Sequence, residues 1–119
     1  ALQDMHRFAR EVAPFFEDYD VWLTPTLTEP PPPLGWFKHD PENPRQATTR
    51  LEQYPRFTSF ANVTGQPAIS LPLCWNDAGL PIGMQLTGRY ADEATLFRVA
   101  AQLEAARPWA DRWPEVPTA

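Results

Sequence analysis

Apolar residues recur along this chain in two rhythms, and the changes between them mark its elements. From position 1 to 19, Met5, Phe8, Ala9, Val12 and Phe16 recur at spacings of three and four, which lines one face of an α-helix. Pro14 interrupts the stripe. It has no N–H to give and its ring crowds the preceding turn, so a kink or break near Val12 is expected. Ala1-Leu2-Gln3 offers no Ser, Thr, Asp or Asn as an N-cap, an abrupt start that fits a piece of something longer. Positions 20–25, Asp20-Val21-Trp22-Leu23-Thr24-Pro25, then read as a short strand stopped by Pro25. Its nearly continuous apolar character predicts burial on both faces.

Periodicity disappears over 26–55, a proline-rich loop with one short helical stretch, 45–53. Consecutive prolines favour extended polyproline backbone, and so long a loop is seldom kept without a use. A short helix is expected over 56–63, with Gly65 ending it in the left-handed region. A hairpin follows over 68–87. Ile69, Leu71 and Leu73 share one face of its first strand, Asn76-Asp77-Ala78-Gly79 form the turn, and Ile82, Met84 and Leu86 share one face of its second strand. Asp92 then caps a helix over 92–107 with the stripe Leu96, Val99, Ala100 and Leu103, closed by Pro108, and a tail occupies 108–119.

Composition narrows the class. At 119 residues, 43% hydrophobic and 21% charged, the chain is one small globular unit with enough Trp and Phe to build a core. Its 15 prolines are roughly 2.5 times average usage. Four are consecutive, Pro30 to Pro33, which concentrates the excess in the loop. A net charge of −5 with no two basic residues adjacent argues against nucleic acid and against an anionic membrane surface. The one cysteine, Cys74, has no partner for an internal disulfide, and no apolar run is long enough to span a bilayer, so a cytoplasmic setting is expected.

Four segments together resemble the C-terminal part of an amidase signature family enzyme. In chain order they are Tyr19 to Thr26 (YDVWLTPT), Asn62 to Pro72 (NVTGQPAISLP), Gly79 to Gly88 (GLPIGMQLTG) and Arg107 to Arg112 (RPWADR). The resemblance implies an α/β fold class, a C-terminal fragment of the amidase signature fold with mixed β-sheet strands flanked by helices. It also implies hydrolysis of amide bonds by a Ser-cisSer-Lys triad carried by the N-terminal and central part of the complete enzyme. No Gly-Gly-Ser-Ser-Gly stretch occurs here, and Ser59, Ser70 and Lys38 match none of the triad motifs. The expectation is therefore scaffold and pocket wall without catalytic residues. Such a chain would be inactive alone and would pair with the missing N-terminal part or associate with itself, and amide substrate would bind only in the complete enzyme.

The residues themselves offer few chemical groups. Ser70 alternates with apolar neighbours and reads as a small filler in a strand; Ser59 reads as a surface hydroxyl. Cys74 reads as a small buried hydrophobe, with activation by His39 as the chemical alternative. His6 and His39 lack ligand spacing, so no metal is expected, and no cofactor motif is present. The adjacent aromatics Trp36 and Phe37 could cover the sheet, line an apolar pocket, or mediate association. Because the resemblance places this loop near the substrate entrance, Thr26, Leu34, Trp36 and Phe37 are the candidate pocket wall. An alternative reading makes Glu29 to Leu34 a polyproline ligand in a non-catalytic interaction module or self-associating scaffold, and a third makes the chain a small hydrolase using Cys74 or Ser70.

Overall fold

A computed structural model describes residues 2–114. The last five residues of the expected 108–119 tail, and residue 1, lie outside the described residues. The elements run α1 (Leu2–Val12), α2 (Phe15–Asp18), β1 (Val21–Pro25), α3 (Pro44–Gln53), α4 (Thr58–Thr64), β2 (Ala68–Trp75), β3 (Pro81–Gly88) and α5 (Glu93–Ala106). The helical start is two pieces. α1 ends at Val12, and Pro14, which cannot donate a backbone hydrogen bond, opens α2 instead. Gly65 closes α4 at φ 74°, where a side chain would be strained.

The sheet has the order β1-β3-β2, and both pairings are antiparallel. Leu86 lies opposite Leu23 on one side and Ile69 on the other; Gln85 lies likewise between Thr24 and Ser70. The β2–β3 turn is closed by Asn76, whose Oδ1 accepts from the backbone of Ala78 at 3.1 Å and Leu80 at 2.9 Å. A bulge at Leu73 shifts the register between Pro72 and Cys74.

α5 packs across β2 and β3. Leu71, Leu86, Leu96 and Ala100 are buried there, with Ile69, Leu73, Val99, Leu103, Val21 and Trp109 partly buried around them. The opposite sheet face is polar. Thr24, Gln85 and Thr87 are buried on it, and Gln85 donates to the carbonyl of Phe57 at 3.4 Å. Beside it the aromatic rings form a chain of contacts: Phe8 to Phe60, Phe60 to Trp22, Trp22 to Phe15, and Phe15 to Tyr19. Arg89 donates through Nε at 3.1 Å, and through a terminal nitrogen, to the carbonyl of Phe16, tying α2 to the end of β3.

The expectation that β1 is buried on both faces is corrected. Only Thr24 is buried, while Trp22 is 37% and Leu23 52% exposed. The cause is position: β1 is an edge strand, and the α5 contacts go to β2 and β3.

Two predictions follow from this packing. Leu96→Ala removes a side chain from the middle of the α5–sheet core, and denaturant unfolding should show a loss of about 2–5 kcal/mol. Asp92 caps α5, accepting hydrogen bonds from the Thr95 hydroxyl at 2.7 Å and the Thr95 N–H at 3.2 Å. These bonds, the hydroxyl's first, hold its carboxyl below the ordinary 3.8. A depressed folded-state pKa contributes stability that is present above the ordinary value and is lost as pH falls through the folded one. Asp92→Asn should therefore remove part of the acid-induced fall in melting temperature below pH 4, measured against the parent chain.

Candidate functional site

Thr26 is the first residue beyond β1, and its N–H extends the ladder by donating to the carbonyl of Gly83 at 2.8 Å. Ser70 is in β2, on the far side of β3. Adjacent strands stand about 4.8 Å apart, so two strands flanking a third are roughly 9.6 Å apart. Even so, the Thr26 and Ser70 hydroxyls meet at 2.6 Å. They can do so because the residue between them on β3 is Gly83. A Cβ at that position would lie 2.8 Å from both oxygens.

This hydroxyl pair borders a concavity of about 360 Å³ walled by Pro25, Leu27, Pro30, Pro31, Pro81 and Ile82, with Glu29 also on its lining. The walls are mostly proline and therefore stiff. The pair supplies polar atoms at the strand side. Thr26, a predicted wall residue, borders this space. Gly83 was not among the predicted site residues, and Ser70 was named only as a strand filler or, in the third reading, a nucleophile, not as part of the pocket wall. The sequence signal was there: a glycine inside a strand often marks a place where something approaches closely.

The other candidates gather elsewhere on the loop. Trp36 and Phe37 touch edge to face with centroids 4.8 Å apart, and Tyr54 meets Phe37 at 5.4 Å and Trp36 at 6.1 Å. The Arg50 guanidinium stacks 4.6 Å from the Trp36 ring and donates to its carbonyl at 2.6 Å. Thr28 joins the two regions, its N–H donating to the Tyr54 carbonyl at 3.1 Å. Leu34 is fully exposed.

The remaining groups do not converge on one centre. Cys74 is half-buried, with its sulfur 4.0 Å from the Ile82 carbonyl, and His39 and Lys38 are exposed. Among the described residues no three His, Cys, Asp or Glu side chains gather as a metal site needs. No helix among them is long and apolar enough to cross a membrane. A second groove, of about 730 Å³, is lined by Trp75, Trp109 and Trp113, with Arg112 stacked 4.0 Å from the Trp75 ring.

The Amidase family model matches residues 1–97, and the chain belongs to that family. It is 44% identical over 110 residues to a Mycobacterium leprae protein named "Putative amidase AmiC", covering 92% of this chain and 23% of that one. It is 36% identical over 121 residues to the 6-aminohexanoate-cyclic-dimer hydrolase of Paenarthrobacter ureafaciens, covering 97% of this chain and 24% of the relative. A solved structure of 6-aminohexanoate cyclic dimer hydrolase superposes with a TM-score of 0.83 at 37% identity, over 95% of this chain and 25% of that one. The chain thus spans about a quarter of the length of the curated relatives it matches.

The aromatic clasp carries a prediction. Arg50→Ala removes a charged hydrogen bond and a ring contact together, each on the order of 1–2 kcal/mol when half-buried. Amide exchange in 26–43 should quicken while the β3 amides keep their protection, and Arg50→Lys should fall between the two because it keeps the charge without the planar stack.

Proposed function

We propose that this chain forms part of the scaffold and substrate-pocket wall of an amidase-type hydrolase acting on carbon–nitrogen bonds. In this reading the Ser-Ser-Lys triad lies in the remainder of the fold. The supporting observation is the asymmetry of the structural match. Nearly all of this chain superposes on a quarter of 6-aminohexanoate cyclic dimer hydrolase. That hydrolase is about four times as long as this chain.

The surface supports the same reading. Phe8, Phe15, Tyr19 and Trp22 are exposed, on α1, α2 and β1 or just after α2, and Leu23 is exposed on the other face of β1. The four rings leave an apolar face beside an open strand edge, the surface a neighbouring part of a larger sheet would cover. Amide substrate would meet Thr26 and the proline walls, with Trp36 and Phe37 bracing the loop behind them. Pro30 and Pro31 then act as stiff wall residues.

The test is a chimera. The matching quarter of 6-aminohexanoate-cyclic-dimer hydrolase is replaced by this chain, and release of product from the cyclic dimer is followed. Hydrolysis by the folded chimera, with none by the 119-residue chain alone, is the expected result. A folded chimera that binds the dimer but leaves it intact would overturn the proposal.

A further inference from the structure

We propose that two copies of this chain associate by a reciprocal contact, in which the end of each copy's proline run, Pro33 and Leu34, lies in the tryptophan groove of the other.

The groove, of about 730 Å³, joins the β2–β3 turn to the segment after α5. Trp75 ends β2, Leu80 and Pro81 stand at the start of β3, and Trp109, Arg112 and Trp113 follow α5. Trp113 is 83% and Leu80 40% exposed. Aromatic grooves of this kind take proline-rich segments, whose extended backbone is preformed and loses little entropy on binding.

The chain carries such a segment and presents it outward. Pro30, Pro31 and Pro32 each precede a proline, which disfavours helical backbone, and each ring fixes its own φ. Pro30 and Pro31 border their own concavity, while Pro33 and Leu34 lie outside its lining and are exposed. Leu34 stands fully clear of its own molecule.

Charge fixes the direction in which the run lies. Glu29 precedes the run and is exposed. Asp111 and Arg112 both line the groove, and Arg112 is the cation there, its guanidinium 4.0 Å from the Trp75 ring with no ion pair among the described residues. A Glu29 carboxylate meeting Arg112 of the second copy sets the run in one orientation.

Symmetry makes the occupant a second copy. A two-fold dimer needs both halves of its contact on one region of each protomer. Pro81 lines both the groove and the concavity that Pro30 and Pro31 border. Leu34 is at most about 11 Å from Pro31 along the chain. A two-fold axis near Pro81 therefore sets each run on the other copy's groove at once. Two such contacts double the area buried, toward the roughly 1,200–2,000 Å² of a specific interface.

The experiment is sedimentation of the chain over a range of concentrations, with variants at exposed positions that leave the fold alone. The parent should show a monomer–dimer equilibrium. Leu34→Asp should weaken it about tenfold or more. Glu29→Arg and Arg112→Glu each set like charges together and should each weaken it about tenfold, and the double variant, with the charges exchanged, should recover most of the loss. A free peptide of sequence EPPPPL gives a second readout by NMR: it should shift the indole N–H signals of Trp75, Trp109 and Trp113 and dissociate the dimer. A chain that stays monomeric at every concentration would overturn the proposal. So would association that none of the variants weakens, which would place the contact on the ring face of α1, α2 and β1. A double variant no better than the single ones, or peptide shifts confined to Trp22 and Trp36, would also overturn it.

Discussion

β3 is the strand on which the rest of the structure depends, because among the described residues it is the only element hydrogen-bonded to both other strands. Residues 85–88 are buried in succession, a run no other strand shows among the described residues. Leu86 carries the apolar side, meeting α5 through Leu96 and Ala100. Gln85 and Thr87 carry the polar side, hydrogen-bonded at 3.4 Å to each other, with Gln85 also reaching α4's N-terminal flank. A register slip of one residue in β3 would exchange these two sets, putting a leucine on the polar face and an amide in the core. The alternation of Gln85, Leu86 and Thr87 thus fixes where α5, α4 and both flanking strands sit.

The two faces are held by different physics. On the α5 side a few aliphatic residues are removed from water, each contributing about 1.5–3 kcal/mol when fully buried. On the other side the rings of Phe8, Phe60, Trp22, Phe15 and Tyr19 touch in sequence while most remain partly exposed. Edge-to-face contacts add about 0.5–1.5 kcal/mol each beyond the area they bury. This lets α1 and α2 stay docked although α1 buries no residue of its own. The Arg89 bond to the Phe16 carbonyl adds a directional tie that the rings cannot supply.

What was legible in the sequence was whatever a single element's periodicity or a local breaker encodes. Leu96, Val99, Ala100 and Leu103 announce α5, Asp92 its cap, Gly65 the end of α4, and Asn76 to Gly79 the hairpin turn. The exposure of β1 was not legible. Val21, Trp22 and Leu23 have the composition of a buried strand, and whether such a strand is covered depends on what lies beside it in space. The aromatic clasp was half legible: Trp36 and Phe37 stood out as costly to expose, but their partners Arg50 and Tyr54 lie on the far side of a segment without periodicity. The hydroxyl pair was least legible, since Thr26 and Ser70 are 44 positions apart. Only the β1-β3-β2 order puts Gly83 between them. Ser70, read as a filler, is indeed in a strand, but its oxygen has a partner across the sheet.

The long proline-rich segment shows how a loop can be irregular and still positioned. It is fastened at its start, where Thr26 continues the β1–β3 ladder. Two residues on, Thr28 is fastened to the carbonyls at the C-terminal end of α3, its hydroxyl 3.3 Å from those of both Gln53 and Tyr54. Its middle is held by Arg50, which grips the Trp36 carbonyl and ring together. Between these anchors the consecutive prolines need little further restraint, because each has its φ fixed by its own ring. The loop therefore loses less conformational freedom on ordering than its length suggests. A wall assembled this way keeps its shape without a packed core behind it. That is how a segment without regular structure can bring Pro30 and Pro31 to the same concavity as Gly83, with the prolines that break its periodicity also restricting its backbone.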